Sequence, residues 1–232
     1  MFAGDSYSKK AKDAYIPLRE FVNIERLSLG NNTSAILATD PKLFLFTLSK
    51  YKFASKILEG KNVIELGCMD GGGTLLLSKM TKSVTAIDFY EDHIKDCLSI
   101  KKNGFFENVN FYHRNILDQN HDFLNKFEGA LCFDVLEHLD PKDSELFFSK
   151  CKSYLNEDGI FICGIPSLES QVYASESNKN SHINCMEFTD FINLAKKSFK
   201  NVMPFGMNDE VVHTGYRKMC HYNIVVCTSP IS

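Results

Sequence analysis

The feature that most constrains the fold is the glycine-rich stretch of residues 63–74. An apolar, strand-like run ends near Glu65 and is followed by glycines at positions 67, 71, 72 and 73. Leu75, Leu76 and Met80 then recur at helical spacing. Three adjacent glycines would weaken the interior of a helix or strand. We therefore expect a strand–turn–helix crossover whose backbone can approach a ligand closely.

Two cofactor patterns use such a turn. The dinucleotide pattern G-x-G-x-x-G lacks its second glycine here, because Met69 stands at that position. The alternative pattern, an acid followed by spaced glycines, is met by Glu65, Gly67, Gly71 and Gly73. This stretch resembles the first motif of the class I S-adenosylmethionine-dependent methyltransferases. The resemblance implies S-adenosyl-L-methionine as cofactor, S-adenosyl-L-homocysteine as product, and cofactor contacts from Glu65, Gly67, Cys68 and Gly71.

An acid closes the next predicted strand. Residues 84–87 are mostly apolar and lead into Asp88, 21 residues after Gly67. An acid with this position and spacing binds the ribose hydroxyl pair in nucleotide-binding α/β folds, and the alternative is a helix-capping aspartate. The resemblance assigns further cofactor contacts to four residues after it: Phe89, Asn115, Ile116 and Phe133.

A second motif follows the predicted fourth strand, residues 129–133. The segment from Asp134 to Leu139 resembles the "D/E-v-l-E-H-l" signature of a methyltransferase subgroup that includes the ubiquinone-biosynthesis O-methyltransferases. Asp134 and His138 are four residues apart, so a helical turn would place both on one face at the carboxyl edge of the sheet. Glu137 could equally be structural and bond backbone in the turn.

The sequence says less about the residues that bind and activate the methyl acceptor. A hydroxyl acceptor needs its proton removed, and histidine is the usual base near neutral pH. The catalytic candidates are His138, His182 and His213, with Asp134 as helper or base, and each could instead only bind substrate. His182 falls in the polar segment 167–184, which we interpret as a substrate loop.

Acidic and basic residues after the predicted sixth strand allow two interpretations. Asp209, Glu210 and Arg217 either contact a polar acceptor or belong to a solvated loop. Asp134, Asp209 and Glu210 could converge, but their spacing gives no support for a metal site. No metal is predicted.

These elements together predict an α/β fold. The resemblance implies a Rossmann-like, doubly wound, seven-stranded and mostly parallel sheet with an antiparallel last strand and helices on both faces. Residues 39–232 would form a single methyltransferase domain. Residues 1–38 would be an N-terminal extension, either a frayed tail or a lid over the site.

Composition limits the classes of partner. A net charge of −3 and a pI near 6.2 provide no basic surface for nucleic acid. No window approaches the length of an apolar membrane span, and the polar N-terminus lacks a signal-peptide core. The eight cysteines form no C-x-x-C pair and favour a reducing, cytoplasmic location.

The function expected from these features is methyl transfer to a polar small molecule, on an oxygen of a metabolite or sugar-derived precursor. The alternatives are a non-catalytic cofactor-binding protein of the same fold and an NAD-linked oxidoreductase. The sequence does not determine the acceptor or the oligomeric state.

Overall fold

A computed structural model of the chain describes residues 28–118 and 121–231. The described residues contain seven α-helices: α1 (Asn31–Thr39), α2 (Pro41–Ile57), α3 (Gly72–Met80), α4 (Glu91–Lys102), α5 (Ser144–Tyr154), α6 (Glu176–Ser181) and α7 (Phe188–Lys196). They also contain eight strands: β1 (Asn62–Leu66), β2 (Ser83–Asp88), β3 (Val109–His113), β4 (Phe127–Phe133), β5 (Leu155–Pro166), β6 (Phe199–Asn208), β7 (Val211–His213) and β8 (Tyr222–Pro230). The strands form one sheet in the order β3-β2-β1-β4-β5-β8-β6-β7.

The pairing confirms a mostly parallel sheet with an antiparallel last strand. Strands β3, β2, β1, β4 and β5 pair in parallel, and β8 runs antiparallel between β5 and β6. The predicted count of seven strands is wrong by one. Strand β6 continues to Asn208, and Asp209 adopts a left-handed φ of 46° that turns the chain back. The short strand β7 then pairs with the end of β6.

Helices cover both faces of the sheet, as predicted. One buried cluster includes Leu77 of α3 and Ile94 of α4, which pack with the β1 residue Val63. The other cluster includes Phe147 of α5 and Phe191 of α7. The central strand β4 thus has an apolar layer above and below it, which explains its near-continuous apolar run, whereas the edge strand β3 alternates buried and exposed residues.

The carboxyl ends of the strands place several loops at one edge. Leu66 of β1 pairs with Ile87 of β2, and Phe133 of β4 pairs with Gly164 of β5. Tyr222, the first residue of β8, pairs with both Pro166 and Met207. The glycine turn and the segments 134–139, 167–187 and 209–221 therefore share this edge. Open α/β sheets bind ligands at such an edge.

No helix in residues 28–118 or 121–231 is both long enough and apolar enough to cross a membrane.

Candidate active site

The glycine-rich turn joins β1 to α3 through left-handed backbone. Gly67 and Gly71 have φ values of 85° and 87°, and Met69 between them has φ 50°. The chain thus keeps a backbone path suited to glycine although methionine stands there. The turn is closed by the Gly71 N–H, which donates to the Cys68 carbonyl oxygen at 3.0 Å.

The glycines also allow close packing by the first two helices. A Cβ atom at Gly72 would overlap the Thr33 side chain of α1, and one at Gly73 would overlap the Tyr51 ring of α2. The Thr33 N–H donates to Asp70 Oδ2 at 2.7 Å, and its hydroxyl donates to Oδ1. Helix α1 is therefore docked directly on the turn.

This docking bears on the predicted extension of residues 1–38. Residues 31–38 are the greater part of α1, which docks on the glycine turn through Thr33. Residues 1–27 lie outside the described residues, so the choice between tail and lid stays open for them. The division of the chain at residue 38 stays a prediction.

Glu65, the acid before the turn, is buried. The Tyr51 hydroxyl donates to its Oε1 at 2.7 Å, and its Oε2 has no hydrogen-bond partner among the described residues. Burial raises the pKa of the Glu65 carboxyl from 4.5 to about 7. A buried oxygen without a donor, next to a turn that bulky side chains do not obstruct, suits a ligand that carries a donor.

Asp88 ends β2, as predicted, and is already hydrogen bonded. Its Oδ2 accepts from the Met69 N–H at 2.8 Å, and its Oδ1 accepts from the Tyr90 N–H at 2.9 Å. Nδ1 of His93 lies 3.0 Å from the same Oδ1. A carboxylate has about four acceptor positions, so these three contacts leave one position for a ribose hydroxyl. A second ribose hydroxyl could bind only if the His93 ring moved away from Oδ1. The ribose contact stays a prediction.

The residues predicted to surround the adenosine differ in exposure. The Phe89 ring is 61% exposed at the edge of the sheet, where it could stack on a base. Ile116 and Phe133 are buried in the two apolar clusters. Asn115 Oδ1 accepts from the Leu117 N–H at 2.9 Å and so shapes the loop after β3. Their cofactor contacts stay predictions.

Asp134 follows β4 and contacts a buried lysine. Its Oδ2 forms an ion pair with Nζ of Lys50, a residue of α2 whose side chain is 2% exposed. Lys50 Nζ also lies 4.3 Å from the ring centroid of Tyr222 and 5.3 Å from that of Phe46. The ammonium group thus lies among aromatic rings with one carboxylate as its counterion.

The prediction that a helical turn places Asp134 and His138 on one face is wrong. Asp134 has a left-handed φ of 56°, and only residues Leu136–His138 form a single 3-10 turn. Leu136 and Glu137 are fully buried, so the chain turns inward after Asp134 instead of continuing along one helical face.

The fold brings together two of the three candidate histidines. The rings of His138 and His182 have centroids 5.0 Å apart in an edge-to-face arrangement. Burial and the neighbouring His138 lower the pKa of His182, so its imidazole is neutral at neutral pH. Burial, followed by the charge of Asp134, raises the pKa of Glu137 well above its usual value.

The third histidine is held elsewhere. His213 lies in β7, where its Nε2 is 2.7 Å from Asn208 Oδ1 and its Nδ1 accepts from the Gly215 N–H. Both ring nitrogens are thus used within its own hairpin. Arg217 packs against an aromatic ring, since its guanidinium carbon lies 5.3 Å from the ring centroid of Phe188.

The loops predicted to face the acceptor form one groove. A cavity of about 400 Å³ lies between them, with lining residues from both segments: Glu169, Glu187, Phe188, Thr189 and residues 215–218. The substrate loop, through Glu169, and residues 215–218 of the segment between β7 and β8 are therefore neighbours in the fold.

Sequence reasoning missed Lys50 and His93. Lys50 is a charged residue in an otherwise apolar helical stripe, and its position four residues after Phe46 was the available signal. His93 lies in the first turn of α4, five residues after Asp88, and links it to α1 because Asn32 Nδ2 is 2.9 Å from His93 Nε2. No sequence pattern marks that contact, which depends on how α1 folds back.

Comparison with known proteins identifies the family. A family model described as "Methyltransferase domain" matches residues 57–209, about two thirds of the chain. The chain therefore belongs to this family. It is a class I S-adenosylmethionine-dependent methyltransferase, which confirms the predicted enzyme class and cofactor. The ubiquinone-type subgroup stays a prediction. No curated protein matches the chain.

Solved structures show the same fold at low identity. The methyltransferase domain of bacterial CtHen1 is 17% identical with a TM-score of 0.64, covering 79% of this chain and 98% of that one. A possible histamine N-methyltransferase from Thermotoga maritima is 18% identical with a TM-score of 0.65, covering 86% and 95%. NodS, an N-methyltransferase from Bradyrhizobium japonicum in complex with S-adenosyl-L-homocysteine, is 15% identical with a TM-score of 0.59, covering 79% and 86%.

Proposed function

We propose that this enzyme transfers the methyl group to an oxygen of a polar small molecule, such as a metabolite or a sugar-derived precursor. The observation that carries the proposal is the approach of His138 and His182, with ring centroids 5.0 Å apart, at the carboxyl edge of the sheet. An amine acceptor reacts through its free lone pair. A hydroxyl acceptor must in addition lose its proton, and a histidine imidazole beside the acceptor can take it up.

The chain's part in the reaction is mainly to align the reactants. When bound, the cofactor supplies a sulfonium methyl group with a good leaving group, so holding the acceptor in line accounts for much of the rate. The acceptor oxygen would form its bond to the methyl carbon as the carbon–sulfur bond breaks and the electron pair of that bond goes to sulfur. The hydroxyl proton would pass to the imidazole of His138 or His182. The glycine turn and the docked α1 would hold the donor end.

The acceptor would bind in the groove between segments 167–187 and 215–218. The groove between segments 167–187 and 215–218 carries both acidic and basic side chains, Glu169, Glu187 and Arg217 among them. Such a surface suits a small molecule with several hydroxyl groups. A nucleic-acid or membrane partner is not expected from a chain of net charge −3.

An acceptor screen tests this proposal. Purified protein would be incubated with S-adenosyl-L-methionine and panels of polyhydroxylated and amine-bearing small molecules, with S-adenosyl-L-homocysteine formation measured. We expect turnover with hydroxyl acceptors, a loss of at least about 100-fold in His138→Ala and His182→Ala, and unchanged turnover in His121→Ala. His121 is an exposed histidine outside this group. Turnover with amines alone, or variants as active as the wild type, would contradict the proposal.

One non-catalytic alternative has a specific observation behind it. Met69 occupies a backbone position of the turn where φ is 50°, and its side chain could obstruct the cofactor. A protein that binds the cofactor weakly and turns over no acceptor would fit that alternative. The NAD-linked alternative loses its support, since the family match is to methyltransferases.

A further inference from the structure

Three side chains of types that bind metal ions converge in the fold, and two of them are the candidate bases. One carboxylate oxygen of Glu137 and one ring nitrogen each of His138 and His182 all lie within 4.8 Å of one another. Glu137 and His138 come from the 3-10 turn after β4, and His182 comes from the segment after α6. His182 is 44 residues from His138, so only the fold brings this cluster together.

Glu137 is the first reason to regard the cluster as a site. The residue is fully buried, and neither of its carboxylate oxygens has a hydrogen-bond partner in the part of the chain that the structure describes. Buried polar groups in native proteins are almost always satisfied, and an acid that is not requires an explanation. A bound cation would satisfy both oxygens.

The orientation of the two histidines is a second, independent reason. Nδ1 of His138 lies 3.0 Å from the Ser181 carbonyl oxygen, and Nδ1 of His182 lies 3.1 Å from Gln171 Oε1. Both partners are acceptors, so Nδ1 carries the proton in each ring and Nε2 keeps its lone pair. Metal-binding histidines have this arrangement, in which one nitrogen donates to an oxygen and the other binds the ion.

The charge around the cluster is also suitable. Asp134 precedes Glu137 by three residues, and its side chain forms an ion pair with Lys50. Glu137 has no such partner among the described residues, so no cationic side chain there takes the place of a metal ion. The ligand set of two imidazoles and a carboxylate suits manganese, iron, cobalt or zinc better than magnesium or calcium.

We propose that Glu137, His138 and His182 bind one divalent transition-metal cation. Three protein ligands leave coordination positions open, as in catalytic metal sites. Under the proposed function, on which this last step rests, an open position would bind the acceptor hydroxyl, and the cation would promote release of its proton to solvent water. The two histidines would then act through the ion. This differs from the expectation from sequence, in which no metal was predicted because only the acids at 134, 209 and 210 were considered.

A titration without donor or acceptor tests the site. Chelator-treated protein would be titrated with Mn²⁺, with free ion followed by electron paramagnetic resonance, and separately with Co²⁺, followed by its visible absorption. Mn²⁺ binds thiolates poorly, which limits interference from the cysteines. We expect one ion per chain, affinity reduced at least 10-fold in Glu137→Gln and His182→Gln, and unchanged affinity in His121→Ala.

The outcomes separate this proposal from the methyl-transfer proposal. If the wild type binds neither ion, or if both variants bind as the wild type does, the site is refuted whatever the acceptor screen shows. His182 lies half-buried in a loop, so His182→Gln decides the matter should Glu137→Gln fail to fold. Metal binding in a protein that methylates no hydroxyl would support the site and refute the proposed acceptor class.

Discussion

Lys50 of α2 and Asp134 after β4 form an ion pair in which the lysine is almost wholly buried and the aspartate side chain is 42% exposed. The pair joins the second helix to the carboxyl edge of the sheet. It also places a fixed positive charge beside the acid that sequence reasoning assigned to catalysis. Asp134 is therefore held by the fold through its ion pair with Lys50.

Removing one partner of this pair is expected to destabilise the protein. Asp134→Asn leaves the Lys50 charge buried without a counterion. The cost is expected to be about 2 kcal/mol, below the value for a fully buried pair because Asp134 is partly solvated. Lys50→Met should cost less, and the double variant should recover about 1 kcal/mol of the sum. Denaturant unfolding of the four proteins measures this, and purely additive effects would contradict the coupling.

The stability of the cofactor-free protein should fall between about pH 4.5 and 7. The folded-state pKa of Glu65 is raised to about 7, so in this range the folded protein binds more protons than the unfolded chain. Its contribution is largest below pH 4.5 and is lost as the pH rises through 7, by roughly 3 kcal/mol. Glu65→Gln should reduce this slope in denaturant unfolding at several pH values, and the remainder is expected from Glu137, whose pKa is also raised by burial.

The control for the Glu65 prediction is Glu91→Gln. Glu91 lies in the first turn of α4 and its side chain is 63% exposed. That variant should keep the slope of the wild type. A Glu65→Gln protein whose stability fell as steeply as that of the wild type across the same range would show that Glu65 is not responsible.

The contact between α1 and the glycine turn should matter for both stability and cofactor binding. Thr33→Val removes the hydroxyl donor to the buried Asp70 and keeps the shape of the side chain. We expect a loss of about 1–2 kcal/mol and severalfold weaker binding of S-adenosyl-L-homocysteine. Ser34→Ala, the neighbouring exposed position, serves as the control. Equal behaviour of the two variants in unfolding and calorimetry would argue against a clamping role for α1.

Met69 stands where the family motif has glycine, and two substitutions test what the methionine does there. Met69→Gly relieves a left-handed backbone but increases the freedom of the unfolded chain, so stability should change by less than about 1 kcal/mol. Met69→Val, with a β-branched side chain at φ 50°, should cost about 1–2 kcal/mol. If Met69→Gly bound the cofactor product at least 10-fold more tightly, the methionine would be an obstruction in the site.

The sequence was most informative where local chemistry determines structure. Strand β1 and the end of β2 at Asp88 could be predicted because apolar runs, turn residues and spacing act over short distances. The antiparallel direction of the last strand was implied by the family resemblance. The extra strand β7 could not, because three residues carry too little pattern. Its formation depends on the turn at Asp209.

The site was less predictable because it is made by distant residues. Lys50 reaches Asp134 across 84 positions, and His182 meets His138 only after the substrate loop folds back. The metal-ligand cluster was missed for the same reason, since its third member lies far along the chain. His213 was a reasonable candidate by composition, but its hairpin uses both ring nitrogens.

The central claim is that the glycine turn and Asp88 form the cofactor site. Calorimetric titration with S-adenosyl-L-homocysteine tests it most directly, using the wild type, Asp88→Ala, and Asp92→Ala as the control with a 91% exposed side chain. Binding in the micromolar range, about −8 kcal/mol, that is lost in Asp88→Ala and kept in Asp92→Ala is the predicted result. No binding by the folded wild type, or undiminished binding by a folded Asp88→Ala protein, would contradict the account.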